Sequence, residues 1–228
     1  MSKVKHFSLN EVGRDFVIGD IHGCFTKLSA LLGEIEFDES KDRLFSVGDL
    51  VDRGSESEKS IEWLSKPWFY AVRGNHEQIA IDCAAGMYSH DHYIANGGAW
   101  FLGLTQQERI KYADEFSAMP IAIDVQTAHG LVGIVHAECP ASNWGELIGR
   151  IYNDPDDQFI QACLWSRHRA TNHTETVIDG VVHVISGHTP MQNATMYGNS
   201  LFIDTGAVFG HDFTIIEIQG KEDQGELS

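Results

Sequence analysis

The side chains of this chain best suited to chemistry are oxygen and nitrogen donors that recur at the ends of apolar runs. Asp20 and His22 stand two residues apart in Phe16-Val17-Ile18-Gly19-Asp20-Ile21-His22-Gly23. A carboxylate and a neutral imidazole at that spacing can occupy adjacent corners around one divalent metal. Alone, Asp-x-His is a weak signal. Two later stretches repeat it, however: Gly48-Asp49 and Gly74-Asn75 each follow a short apolar run. Two imidazoles do the same further on, with His136 after Val135 and His188 after Ser186-Gly187. Mixed oxygen and nitrogen donors without a cysteine exclude a thiolate zinc site and suit Mn, Fe or Zn.

For these donors to act together, the elements before them must end at one place. Residues 16–18 read as a buried strand, and Phe25, Leu28, Leu31, Leu32 and Ile35 recur at helical spacing over 25–35. A second strand at 43–47 is followed by a helix that Ser55 and Glu58 would open as a capping box and Pro67 would close. A third strand is expected at 68–72. Successive βαβ units of this kind line up their carboxyl ends along one crevice, which sets Asp20, Asp49 and Asn75 side by side. Residues 78–119 read as a helical cover without chemistry of its own, with a second capping box at Thr105 and Glu108. His90, Asp91 and His92 fall in a polar loop there and are not taken as ligands. From Ile121 onward the pattern turns to β, ending with SLFID and DFTIIEIQ, and implies a second, more antiparallel sheet packed on the first. His129 in a turn and His183 within a strand are assigned to structure.

At 228 residues the chain has room for one domain with a sizeable core, expected over 1–220, with 221–228 as a solvated acidic tail. The alternation of helical and strand patterns indicates an α/β class. A net charge of −17 opposes binding to a phosphate backbone, so nucleic acid is not an expected partner. A phosphorylated substrate would need metal ions or clustered arginines to reverse that sign locally. No apolar stretch has the length to span a bilayer, and the first residues lack the core of a signal peptide. Cys24, Cys83, Cys139 and Cys163 are scattered and form no C-x-x-C pair, as expected of reduced thiols in a cytoplasmic protein.

Five motifs carry a resemblance. GDIHG, GDLVDRG, GNHE, VHAE and GHTP occur in the order found in the metallophosphoesterase superfamily. VDRG and GNHE resemble the phosphoprotein phosphatases, and IDTGAVFG and TIIEIQ are similar to the lambda-phage-type serine/threonine phosphatases and their bacterial relatives. The resemblance implies a calcineurin-like α/β fold: two packed mixed β-sheets flanked by helices, an αββα sandwich. It assigns Asp20, His22 and Asp49 to one divalent ion and Asp49, Asn75, His136 and His188 to a second. Mn²⁺ is the metal it favours, with Fe or Zn as alternatives. The implied substrate is a phosphorylated protein or peptide, hydrolysed by direct attack of a metal-bridging hydroxide. The sister family of dinucleoside-tetraphosphatases shares GDIHG and GHTP. It has Ala where Asp52 stands, a Pro after the motif's last Gly, and Asp where Glu77 stands.

The remaining roles follow from position. Arg53 and Arg73 lie in the loops after the second and third strands, where guanidinium forks suit phosphate. Arg167 resembles a third phosphate-binding arginine of the family, with Arg169 as its competitor. His76, beside Asn75 and not needed as a ligand, is expected to act as general acid toward the leaving alkoxide, with Asp52 as its carboxylate partner. No nucleophile context such as C-x5-R exists, which leaves water as the attacking group. The alternatives are a dinucleotide or other small-molecule phosphohydrolase on the same scaffold, and a non-catalytic scaffold. The presence of every ligand, arginine and acid argues against the latter. Nothing in the sequence indicates an oligomeric state.

Overall fold

The strand β1 (Val4–Phe7) opens the chain, followed by β2 (Asp15–Ile18), α1 (Phe25–Glu34), β3 (Arg43–Ser46), α2 (Ser60–Leu64) and β4 (Phe69–Ala71). Four helices follow: α3 (Asn75–Ala84), α4 (His90–Ala95), α5 (Ala99–Leu102) and α6 (Gln106–Ser117). The second half holds β5 (Ala122–Thr127), β6 (Gly130–Val135), α7 (Trp144–Asn153), α8 (Asp157–Trp165), α9 (His168–Thr171), β7 (His183–Ser186), β8 (Thr195–Tyr197), β9 (Ser200–Phe202) and β10 (Ile215–Glu217). These elements come from a computed structural model that describes residues 3–153 and 157–219; the tail expected at 221–228 lies outside the described residues.

Two sheets form, in the orders β10-β2-β3-β4 and β1-β5-β6-β7-β9-β8. Successive strand residues point to opposite faces, and the burial follows that rule. In β2, Phe16 and Ile18 join a core shared with α1, while Val17 joins Phe45, Val47 and Val72 against Ile123, Val125, Ile134 and Ile185 of the other sheet. The outer face of the second sheet packs Val135 and Val184 on Trp144, Leu147 and Ile151 of α7. Helices therefore cover both outer faces and the two sheets share the middle, the expected αββα sandwich.

Strand register decides where the donors arrive. β2, β3 and β4 are parallel, with Ile18 opposite Ser46 and Ser46 opposite Ala71, so their carboxyl ends lie abreast. β6, β7 and β9 are also parallel, with Ile134 opposite Ile185 and Ser186 opposite Phe202.

Several expectations need correction. β10 pairs antiparallel with β2 and so completes the first sheet rather than the second. Among the described residues only β5/β6 and β8/β9 are antiparallel in the second sheet, whereas β1/β5, β6/β7 and β7/β9 are parallel. The reason is the long α7–α9 segment between β6 and β7, which gives the chain the crossover that a parallel return requires. β1 was hidden because it is an edge strand whose Lys5 and His6 face solvent. Ser55 caps nothing. A 3₁₀ turn at Ser57–Lys59 precedes α2, because Glu56 is engaged elsewhere: its N–H donates to Gly23 O at 3.1 Å and its carboxylate accepts from Thr26. His90, Asp91 and His92 lie in helix α4 rather than in a loop, and all three are exposed. The Thr105–Glu108 capping box forms as expected, at the start of α6. Among the described residues no helix is long and apolar enough to cross a membrane.

Candidate metal centre

The loops that follow the strands adopt uncommon backbone. His22, Asp49, Asp52, Arg53 and His188 all have positive φ, at 42°, 51°, 70°, 67° and 64°. Such residues cost on the order of 1–3 kcal/mol each and persist only where their surroundings over-determine them. Glu77 supplies much of that constraint. Its buried carboxylate accepts N–H bonds from Asp49 (3.0 Å), Leu50 (2.7 Å) and Gly74 (2.8 Å), clamping the second loop onto the third. Burial and the charge of Asp49 raise this carboxyl to about 7 against those bonds. Two glycines are required by close approach. A Cβ on Gly74 would fall 2.2 Å from Asp49 Oδ1, and one on Gly187 would fall 1.9 Å from Asp20 Oδ1.

Backbone carbonyls set the imidazole tautomers. His22 Nδ1 donates to Val51 O at 2.8 Å and His136 Nδ1 donates to Val47 O at 2.8 Å. His188 Nε2 donates to Trp165 O at 3.1 Å. Burial drives His22 and His188 down to about 3 and lowers His136 as well, so all three are neutral. Each therefore turns one unprotonated nitrogen inward, the orientation that carbonyl partners impose on metal-binding histidines. His136 Nε2 and His188 Nδ1 face Asn75 Oδ1 at 2.8 and 2.9 Å. These are acceptors facing an acceptor. Lone pairs at that distance repel unless a cation lies among them.

Asp49 joins the two sides. Its Oδ1 is 3.4 Å from His136 Nε2, and its Oδ2 is 3.5 Å from His22 Nε2, which lies 3.9 Å from Asp20 Oδ2. Asp20 is buried, and burial together with the charges of Asp204 and Asp49 pushes its carboxyl well up. Crowded carboxylates and inward lone pairs are a donor set that fits divalent cations. Asp20, His22 and Asp49 could hold one, and Asp49, Asn75, His136 and His188 another. The sequence-predicted ligands are thus brought together from the ends of five strands, β2, β3, β4, β6 and β7.

His76 stands at the edge of this cluster: its Nε2 is 3.9 Å from Asp49 Oδ2, and His22, Asp49 and His76 bring donor atoms within 4.8 Å of one another. The Nδ1 of His76 donates to Asp52 Oδ2 at 2.7 Å. Burial lowers its pKa, but Asp49 and the hydrogen bond and charge of Asp52 outweigh burial, and the net shift is upward. Asp52 is itself held by the helical cover, through Tyr93 Oη at 3.2 Å and Trp100 Nε1 at 2.6 Å, both donating to Oδ1. Sequence reading gave that cover no chemistry. The missed signals are single donors, Tyr93 and Trp100, which no spacing rule ties to Asp52.

A crevice of about 380 Å³ opens over Asp49, Asn75, His76 and His188, walled by Arg53, Asn96, Trp165 and Arg167. Arg53 donates to His22 Nε2 and lies 5.8 Å from the exposed ring of Phe209. Arg73 does not reach the crevice. Its guanidinium donates to the carbonyls of Phe116 (3.1 Å), Ser117 (2.5 Å) and Met119 (3.4 Å) and to Gln78 Oε1 (3.0 Å). It caps the C-terminal end of α6, where unpaired carbonyls attract a cation. Arg169 also turns away, onto Thr174 O and Thr176 O, which leaves Arg167 in the wall. Glu77 and Asp204 were likewise missed as residues of the centre. Their positions within GNHE and IDTG were the available signal.

The sequence model of the calcineurin-like phosphoesterases matches residues 16–192, and the chain belongs to that family. It is thus a hydrolase of the metallophosphoesterase superfamily, whose fold implies divalent metal ions. The chain is 39% identical over 209 residues to serine/threonine-protein phosphatase 1 of Salmonella typhimurium, covering 90% of this chain and 91% of the relative. It is 29% identical over 178 residues to a symmetrical bis(5'-nucleosyl)-tetraphosphatase of Nitrosococcus oceani, covering 71% and 64%. A solved structure described as a candidate diadenosine tetraphosphatase superposes with a TM-score of 0.65 at 19% identity, covering 97% of this chain and all of that one. At that identity the likeness concerns the fold alone.

Proposed function

We propose that this chain is a two-metal serine/threonine phosphoprotein phosphatase, with residues 1–220 as its single catalytic domain. The observation that carries the reading is the His76–Asp52 pair, set 2.7 Å apart at the edge of a converging metal-donor cluster. In this reading one ion is held by Asp20, His22 and Asp49, and the other by Asp49, Asn75, His136 and His188. When bound, the ions supply Lewis-acid polarisation of phosphate oxygens and of the attacking water. Mn²⁺ is the metal favoured by the family resemblance. The free thiols at Cys24, Cys83, Cys139 and Cys163 suit a reducing, cytoplasmic setting.

The protein's own groups account for the rest. Arg53 and Arg167 stand in the crevice wall and would take the phosphate oxygens with their guanidinium forks, Arg53 giving up the His22 Nε2 lone pair that an ion would occupy. Water attacks phosphorus opposite the ester oxygen; a P–O bond to water forms as the P–O bond to the seryl or threonyl carbon's oxygen breaks. His76, its Nδ1 proton held by Asp52, gives its Nε2 proton to that leaving oxygen. Products are the free hydroxyl and inorganic phosphate. Asp52 maintains the orientation and favours the imidazolium that makes the transfer effective at neutral pH.

The second reading, a dinucleoside polyphosphate hydrolase, is favoured by the likeness to the Nitrosococcus oceani tetraphosphatase. The experiment that separates them is turnover of phosphoserine peptides against dinucleoside polyphosphates at equal metal loading. Faster cleavage of the dinucleotides overturns the protein-phosphatase reading. Silence toward p-nitrophenyl phosphate with Mn²⁺ overturns both and returns a non-catalytic scaffold.

A further inference from the structure

Arg167 stands in the crevice wall, yet its own side-chain contacts are long. Its Nε lies 3.4 Å from His188 Nε2, and its Nη2 lies 3.4 Å from His188 O. What fixes its place is the turn that carries it. Glu138 Oε1 accepts from Ser166 Oγ at 2.6 Å, and Glu138 Oε2 accepts from the Arg169 N–H at 2.7 Å. The two ties bracket Arg167 on either side. Ser166 Oγ in turn accepts from His168 N at 3.3 Å, and the Arg169 guanidinium donates onto Thr174 O and Thr176 O. Glu138 itself is only 7% exposed and stands two residues beyond His136, at the end of β6.

A buried carboxylate is expensive unless every acceptor is used. An apolar side chain would fill this position at lower cost if packing were all it did. The carboxylate instead provides two directed acceptors, which lock the 166–169 turn to the strand that delivers His136. We infer that Glu138 is a positioning residue for Arg167: it holds the turn so that a weakly tethered guanidinium is aimed at substrate phosphate. The inference rests on the phosphate-binding role proposed for Arg167. A displacement of about 1 Å in such a group can cost on the order of 10²-fold in rate.

The test uses the full metal-loaded chain, with inorganic phosphate and a phosphoserine peptide as probes. Glu138→Ala should raise KM for the peptide about tenfold or more, with a smaller change in kcat, and should weaken phosphate binding measured by calorimetry in parallel. Metal content should stay at the wild-type value. In an Arg167→Ala background, Glu138→Ala should add little, because the group it aims is gone. Glu138→Gln keeps an acceptor for Arg169 N–H and a partner for Ser166, and should recover most of the loss. Ser166→Ala removes one tie, leaves the Glu138 side chain in place, and should show a milder loss of the same kind if Glu138→Ala does not fold. Wild-type phosphate affinity in both Glu138→Ala and Ser166→Ala overturns the inference, as do losses that multiply with Arg167→Ala. If Arg167→Ala alone leaves phosphate affinity unchanged, the role assigned to Arg167 is wrong and the inference falls with it.

Discussion

Two regions meet at the crevice and differ in how they contribute to it. The strand-end loops of residues 19–23 and 48–54 bring several donors each, on backbone forced to positive φ at His22, Asp49, Asp52 and Arg53, and the first turn of α3 adds Asn75, His76 and Glu77. The helical cover of residues 78–119 brings Asn96 to the wall and two hydrogen bonds to Asp52, from Tyr93 and Trp100, on ordinary helices. The loops hold whatever binds at the centre. The cover holds Asp52, which holds His76. Most of the donors arrive on irregular strand-end backbone and the rest on the first turn of α3, while the orientation of Asp52 is secured from the helical cover.

The largest effect expected on this comparison comes from the loops. Asp49→Asn removes charge from the carboxylate that faces both donor sets, so metal titration should show both sites weakened and turnover lost. Asp20→Asn should chiefly affect one site. Two ions bound by Asp49→Asn at near-native affinity would break the assignment of Asp49 as the shared ligand. Chelation should also lower the melting temperature, since cations that bind only the folded state stabilise it.

Next comes the proton. His76→Asn should cut kcat on phosphoserine peptides by about 10²–10⁴-fold with metals retained. The loss on p-nitrophenyl phosphate should be distinctly smaller, because p-nitrophenolate leaves without help. Equal losses on both substrates, or loss of a metal, would remove His76 from the general-acid role.

The cover is tested by Trp100→Phe, which deletes the 2.6 Å bond to Asp52 Oδ1 while keeping most of the ring's packing. A hydrogen bond to a charged group contributes about 1.5–3 kcal/mol, so kcat on the peptide should fall about tenfold. It should show the same leaving-group asymmetry as His76→Asn, in milder form. A uniform loss on both substrates would mean that the cover acts only through stability.

Smallest in activity is Arg73→Ala. Sequence position set Arg73 among the phosphate ligands, but its guanidinium belongs to the carbonyl end of α6. Phosphate inhibition should remain close to native, while stability falls by about 2 kcal/mol, or roughly 4–8 °C in melting temperature. A clear weakening of phosphate inhibition would return Arg73 to the crevice.

Much of the centre was legible because its signal is local. Asp20, His22, Asp49, Asn75, His136 and His188 each stand within four residues of the end of an apolar strand, and parallel strands of one register must end together. The capping box at Thr105 was legible for the same reason, since its two partners lie within one turn. Ser55 carried the same local pattern and failed, because Glu56 found partners some thirty residues away at Thr26.

By itself, then, the sequence determined the α/β class, the strand ends that carry donors, and which residue types could hold metal or move a proton, because these depend on periodicity and on chemistry within a few residues. The tertiary structure alone decided that Arg167 and not Arg73 walls the crevice, that Tyr93 and Trp100 hold Asp52, that β10 closes the first sheet, and that Glu138 ties the 166–169 turn to the end of β6. Those outcomes join residues far apart in the chain, and a long side chain or an edge strand carries no local mark of which of several distant partners will satisfy its hydrogen bonds.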